Sequence, residues 1–224
     1  MRPGRPLVER APCPADRPLR LGVLVSGSGS NLAALLDAAR DETRLLSVAV
    51  VLSNVAGVKA LERAGGAGVP ACVEDHRGRS REAFEDALDV VLRQHDVEVV
   101  VLAGFMRVLT AHFLDRWKHR VLNVHPALCP AFPGMHAPRQ ALAHGARVTG
   151  CTVHLVDAGV DTGPILAQAA VPILDDDDEA ALTARIQAEE HRLFPAVLGA
   201  VARGEVRVVD GRPRAYGLAG PSAR

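Results

Sequence analysis

A single α/β domain, with a doubly wound sheet that is mostly parallel and mixed at its C-terminal edge, is the fold that the sequence predicts. From Leu19 onward, short apolar runs rich in β-branched residues alternate with longer segments of helical spacing. The apolar runs carry hydrophobic residues on both faces, as strands do when helices cover a parallel sheet on either side. The 224 residues show no internal repeat and suit one Rossmann-like domain, long enough to bury ~70% or more of its unfolded surface.

LRLGVLV (19–25) is the first strand, bounded by Gly and Ser, and residues 31–40 are the first helix, with Leu32, Leu35, Leu36 and Ala39 at i, i+3, i+4 and i+7. The cycle repeats as strand 45–52 and helix 58–65, strand 69–73 and helix 80–95, then strand 97–104 and a short helix near 110–116. VLNV (121–124) is the fifth strand, after which a Pro/Gly-rich loop, 125–138, interrupts the winding. A helix near 138–145 follows. The β-branched runs 149–156 and 163–173, separated by a short turn, predict a hairpin-like pair and so the mixed edge. Beyond the acidic run 175–179, residues up to Gly204 have helical period, with Pro195 expected to kink the helix because it lacks an amide proton. Carboxylates ahead of a helix suit the positive end of its dipole, so the acidic run reads as a solvated cap rather than a metal site. Residues 205–214 suggest a terminal hairpin. The predicted organisation is a disordered, Arg/Pro-rich extension at 1–18, a domain at 19–209 and a C-terminal tail at 210–224.

Composition excludes several classes. The 26 basic residues balance the 26 acidic ones, so a surface for nucleic acid is not the first expectation. The longest apolar stretches, near 97–103 and 45–52, fall well short of the ~18–20 residues of a membrane span, and the N-terminus lacks the apolar core of a secretory signal. Cys13, Cys72, Cys129 and Cys151 form no C-x-x-C and no metal-like cluster. They read as small buried hydrophobes in a reduced, cytoplasmic protein.

Two places carry candidate chemistry. The first strand enters its helix through Ser26-Gly27-Ser28-Gly29-Ser30-Asn31. Glycines let backbone amides approach a ligand, and the new helix presents unpaired N–H groups with partial positive charge, so a phosphate fits there. The dinucleotide fingerprint fails, because its third glycine falls on Leu32 and the second strand ends in Ser53-Asn54 where a ribose-binding acid is expected. A phosphomonoester is therefore favoured over NAD. The bland alternative is a tight connection capped by Ser or Asn.

The second place is Asn123-Val124-His125-Pro126, at the C-terminal end of a predicted strand, where open α/β sheets gather ligands. On an extended chain Asn123 and His125 project to the same side, an amide beside an imidazole that can hold a carbonyl oxygen while protons move. Asp161, in the turn Val160-Asp161-Thr162-Gly163-Pro164, would hold the imidazole in its cationic form if the fold brought it near.

SGSGSNL (26–32), VVLAGFMRVLT (100–110), LNVHPALCPAFPGMHAPRQAL (122–142), TGCTVHLVDAGVDTGPILAQ (149–168) and TARIQAEEH (183–191) together resemble the phosphoribosylglycinamide formyltransferase family, folate-dependent enzymes of purine synthesis. The likeness runs from about residue 19 to 209. N-x-H-P and D-x-G-P are shared by the wider group of enzymes that use 10-formyltetrahydrofolate, whereas SGSGSNL and Q-x-x-E-H are closer to this one family. The resemblance implies a catalytic trio of Asn123, His125 and Asp161. It places the substrate phosphate on Gly29, Ser30 and Asn31, and the glycinamide ribonucleotide against Glu190. It assigns the folate pocket to Arg81, Met106, Arg107, Val108, Leu109, Asn123, Asp157 and Asp161.

The implied co-substrate is 10-formyltetrahydrofolate, with no metal and no covalent enzyme intermediate. The implied partners are these small molecules, without nucleic acid or membrane, with a homodimer as the one assembly entertained. Cys129 stands where related sequences usually have Leu, and Ala137-Pro138 where a more polar pair is common, which bears on the shape of the folate-side loop. Cys129 as a nucleophile is set aside, because formyl transfer to an amine needs no thiol. Three rivals remain: a 10-formyltetrahydrofolate hydrolase, expected to carry a further N-terminal domain; a methionyl-tRNA formyltransferase, expected to carry a C-terminal domain and a basic surface; and a non-catalytic nucleotide-binding module.

Overall fold

The computed structural model describes residues 5–7, 17–41, 45–209 and 212–215. In chain order the elements are β1 (Arg5–Pro6), β2 (Leu19–Val25), α1 (Ser30–Ala38), β3 (Leu46–Ser53), α2 (Lys59–Gly66), β4 (Ala71–Val73), α3 (Arg81–Gln94), β5 (Val99–Leu102), α4 (Ala111–Arg116), β6 (Val121–His125), α5 (Ala137–His144), β7 (Val148–Leu155), β8 (Ile165–Pro172), α6 (Glu179–Ala202), β9 (Val206–Val209) and β10 (Arg212–Ala215).

The main sheet has seven strands in the order β4-β3-β2-β5-β6-β7-β8. The first five are parallel, β7 runs antiparallel to β6, and β8 antiparallel to β7. The predicted doubly wound sheet with a mixed edge is thus the observed one. Winding moves outward from β2 to β4 and then returns to β5 on the other side of β2, so the order reverses between β2 and β5. The crevice at the carboxyl ends of these two strands is where such sheets bind ligands.

Strand polarity explains the layers. Val99 and Val101 face one core, with α1 and α6, whereas Val100 and Leu102 face the other, with Phe84, Leu88 and Leu92 of α3 and Phe113 and Trp117 at α4. Each fully buried Val or Leu side chain contributes roughly 1.5–3 kcal/mol. Gly22 permits close packing of α3: a Cβ there would lie 2.3 Å from Leu92 Cδ2. At the start of α6, Asp178 accepts a hydrogen bond from the Ala181 amide at 2.7 Å and Asp177 pairs with Arg185, so these members of the acidic run serve as cap and ion-pair partner. Pro195 does not interrupt α6, which remains one element from Glu179 to Ala202.

The extension predicted to be disordered over 1–18 is corrected at residues 5–7. Arg5 and Pro6 pair antiparallel with Val208 and Arg207, and Leu7 is buried in the main core, its amide donating to the Val206 carbonyl at 2.9 Å. The apolar Leu7 side chain anchors the segment, while β9 offers an open edge for its backbone. Residues 1–4 and 8–16 lie outside the described residues. The predicted terminal hairpin is found as β9 and β10, which places residues 212–215 of the predicted tail in a strand; residues 210–211 and 216–224 lie outside the described residues. Among the described residues no helix is long and apolar enough to cross a membrane.

Candidate active site

The turns after β2 and β5 are bound to each other at the reversal point. The Ser26 amide donates to the Gly104 carbonyl at 3.1 Å, the Met106 amide donates to Ser26 Oγ at 2.9 Å, and Ser26 Oγ donates to Asn54 Oδ1 at 2.6 Å. With the loop after β6, the turn after β7 and one face of α6, they enclose a cavity of about 740 Å³, in the ~300–1,000 Å³ range of small-molecule sites.

One end of the cavity is built for an anion. Gly29 caps α1 in the left-handed region at φ 69°, with no side chain bonded to the open amides of the first turn and no acidic residue in that turn. A Cβ on Gly29 would come within 2.7 Å of Ala60 Cβ and 2.9 Å of Ala60 Cα, so only glycine allows α2 this close. Ser30 and Asn31 follow it into the cavity lining. Asn31 Nδ2 donates to Glu190 Oε2 at 2.9 Å. Burial pushes the Glu190 carboxyl up to about 7, against the lowering effect of the Asn31 hydrogen bond. Asn31 Oδ1 is buried with no hydrogen-bond partner among the described residues. Thr183 and Gln187 line the same wall as Glu190, at i, i+4 and i+7 on α6. Sequence reading missed these two, although that polar spacing was a usable signal.

At the far side the predicted trio converges. Asn123 and His125 lie on β6, whose antiparallel pairing with β7 sets Asn123 opposite His154 and His125 opposite Thr152. Asp161, at φ 54° in the turn after β7, brings Oδ2 to 3.2 Å from His125 Nδ1. The Gly134 amide donates to the same Oδ2 at 2.8 Å, and Asn123 Nδ2 donates to Asp161 Oδ1 at 3.4 Å. His125 Nε2 donates to the Phe132 carbonyl at 2.8 Å. A carbonyl only accepts, so Nε2 carries hydrogen, and Nδ1 is the ring atom turned to the Asp161 carboxylate. His154 adds a second ring: its Nδ1 donates to the Leu155 carbonyl at 2.9 Å, and its Nε2 lies 3.2 Å from Asn123 Nδ2 and 3.6 Å from Asp161 Oδ1. Burial pushes the Asp161 carboxyl up, but the His154 ring, the Gly134 amide and the His125 charge outweigh it and leave the group below its ordinary value.

Met106, Arg107, Val108 and Leu109 line the cavity, Met106 and Val108 exposed at its mouth and Leu109 buried. Arg107 also lies over the Phe84 ring, 5.3 Å from its centroid. Asp157 lines the cavity while building its own turn, accepting from Thr162 Oγ1 at 2.7 Å and the Gly159 amide at 3.1 Å. Arg81 is not brought in: it is exposed at the first position of α3 and does not line the cavity. Cys129 is buried, its thiol pushed up chiefly by burial, which opposes a nucleophilic role. Among the described residues no group of three or more His, Cys, Asp or Glu is placed to hold a metal ion.

The chain matches the model of the Formyl transferase family over residues 19–198. It is 49% identical over 199 residues to the phosphoribosylglycinamide formyltransferase of Mycobacterium tuberculosis, covering 88% of this chain and 91% of that one. It is also 50% identical over 194 residues to the trifunctional purine biosynthetic protein adenosine-3 of Drosophila pseudoobscura pseudoobscura, 85% of this chain but only 14% of the length of that relative. The crystal structure of glycinamide ribonucleotide transformylase 1 from Symbiobacterium toebii superimposes with a TM-score of 0.86 at 48% identity, covering 89% of this chain and 94% of that one. The chain therefore belongs to the formyl transferase family, among the phosphoribosylglycinamide formyltransferases.

Proposed function

We propose that this chain transfers a formyl group from 10-formyltetrahydrofolate to the primary amine of N1-(5-phospho-D-ribosyl)glycinamide, giving the N-formyl product and tetrahydrofolate in purine biosynthesis. The observation that carries the reading is a single cavity lined both by the N-terminus of α1, which no side chain caps, and by the His125–Asp161 pair. A ribose phosphate held by the first-turn amides of α1 would place its glycinamide arm toward Asn123, His125 and Asp161. Glu190, Gln187 and Thr183 would contact the ribonucleotide, and the folate would lie along Met106–Leu109, with Asp157 and Val160 across the mouth.

The amine nitrogen uses its lone pair to bond the formyl carbon, the C=O pair moves onto oxygen, and its return breaks the bond to N10, which takes up the proton the amine gives away. Nothing in this sequence needs a thiol. Charge appears on the formyl oxygen only as the amine adds, so donors aimed there act on the transition state. His125 works from Nδ1, because Nε2 is held by the Phe132 carbonyl; a hydrogen on Nδ1, fixed in the ring plane, reaches the oxyanion where that oxygen lies beside Asp161 Oδ2 and shares it. Asn123 has to redirect an Nδ2 hydrogen from contacts of 3.4 Å to Asp161 and 3.2 Å to His154. The Asp161 contact is long, so little is lost in giving it up. Asp161, held below its ordinary carboxylate range, is ionised at neutral pH and holds the ring in place from 3.2 Å.

One assay tests the reading: incubation with 10-formyltetrahydrofolate, with and without glycinamide ribonucleotide, while folate release is followed. Ribonucleotide-dependent turnover is expected. Turnover without the ribonucleotide would make the protein a hydrolase, and none in either case would leave a nucleotide-binding module.

A further inference from the structure

His125 and Asp161 each take a partner from the same three-residue stretch of loop. The Phe132 carbonyl accepts from His125 Nε2, and the Gly134 amide donates to Asp161 Oδ2, both at 2.8 Å. These are backbone atoms on a segment outside any helix or strand, so their positions depend on what holds the segment. Phe132 at φ 52° and Gly134 at φ 82° both occupy the left-handed region, and for Phe132 that conformation persists only if its surroundings enforce it.

Two braces, both from α5, enforce it. Gln140 donates from Nε2 to the Pro133 carbonyl at 3.1 Å and to the Met135 carbonyl at 2.9 Å, straddling Gly134. The Phe132 ring packs against the main core and meets the His144 ring edge-on, with centroids 5.7 Å apart and an interplanar angle of 65°. Gln140 and His144 are one helical turn apart on the same face of α5. None of Phe132, Gln140 and His144 lines the cavity.

We propose that Gln140 and the Phe132–His144 pair are positioning residues for formyl transfer: from α5 they set the 132–134 backbone against His125 and Asp161, and so fix how the ion pair is oriented. The inference rests on the reading of His125 and Asp161 as catalytic. A catalytic group displaced by a fraction of an ångström loses rate while substrate binding is left nearly intact.

The test measures kcat, the KM of each substrate and the pH dependence of kcat in Gln140→Ala, Gln140→Glu, Phe132→Ala, Phe132→Tyr and His144→Ala. Gln140→Ala is expected to lower kcat ~10-fold with KM values nearly unchanged and a displaced pH profile. Gln140→Glu, which sets a carboxylate against two carbonyls, is expected to lower it further. Phe132→Ala should behave like Gln140→Ala, Phe132→Tyr should keep most of the wild-type rate, and adding His144→Ala to Phe132→Ala should cost less than it does alone. Because Gln140 is exposed, its variants report on the brace even if Phe132→Ala does not fold. A wild-type kcat and pH profile in both Gln140 variants would overturn the inference, as would a loss confined to KM or a lower kcat with an unmoved pH profile. His125→Ala and Asp161→Asn, assayed alongside, separate the two levels: full turnover in both defeats the catalytic reading itself, whereas their inactivity beside unaffected Gln140 variants defeats only the positioning role.

Discussion

Nδ1 of His125 lies 3.2 Å from Oδ2 of Asp161, with both side chains almost wholly removed from solvent. A carboxylate and an imidazole buried at this distance depend on each other, since removing one leaves the other desolvated and unpaired. Asp161→Asn keeps the shape and deletes the charge. Turnover is expected to fall by ~10²-fold or more in a folded protein, measured as folate release under saturating substrates. The carboxyl sits below its ordinary value, so its stabilising effect is present above the normal carboxylate range and is lost only as pH falls through the lowered value. Asp161→Asn should therefore approach the wild type in relative stability in strong acid. A stability difference that stayed constant as pH fell through the acid range would contradict the pairing.

Asn123→Ala removes the amide that bridges Asp161 and His154. A loss of ~10²-fold or more in kcat is expected, by comparison with deletion of an oxyanion donor. Near-normal rates in a folded variant would exclude Asn123 from the chemistry.

Glu190 faces Asn31 from a buried position on α6, and burial raises its carboxyl to about 7. Its folded value is raised, so the stability contribution is complete below the unfolded value near 4.5 and declines as pH climbs through about 7. Each unit is worth about 1.4 kcal/mol, so Glu190→Gln should gain up to roughly 3 kcal/mol on the wild type between about pH 5 and pH 8. Urea unfolding at those two pH values measures it, and parallel behaviour of the two proteins would refute it. KM for the ribonucleotide should rise in the same variant.

Gly29→Ala places a methyl group against Ala60 at a residue with φ 69°. The expected cost is ~1–3 kcal/mol of stability together with a raised KM for the phosphate-bearing substrate, because the α1 amides are displaced. Unfolding midpoints and initial-rate kinetics would reveal it; an unchanged KM would remove the phosphate from this turn.

Local patterns accounted for much of this. Residues 99–102 are apolar at every position because both faces of β5 are covered, and such runs mark central strands whatever lies around them. A two-residue spacing put Asn123 and His125 on one side of β6, and the SGSGSN turn announced an anion site through its own backbone requirements. The limits of that reading follow from the same physics. His154 joins the site only because antiparallel register sets it opposite Asn123, and register depends on a hairpin whose alignment no single segment encodes. The Phe132 carbonyl and the Gly134 amide are backbone atoms, which every residue but proline possesses in full, so their identity carries no signal. Arg81 was assigned to the folate pocket by the resemblance yet lies outside the cavity, and Leu7 found the edge of β9 from a segment that read as a disordered, Arg/Pro-rich extension. Strand identity, helix spacing and the types of reacting side chain were set by the sequence alone, because they depend on neighbours along the chain. Which atoms of those side chains are committed, and to whom, was decided by the tertiary structure, because His125, Asp161 and the 132–134 backbone meet only after β6, β7 and α5 have packed.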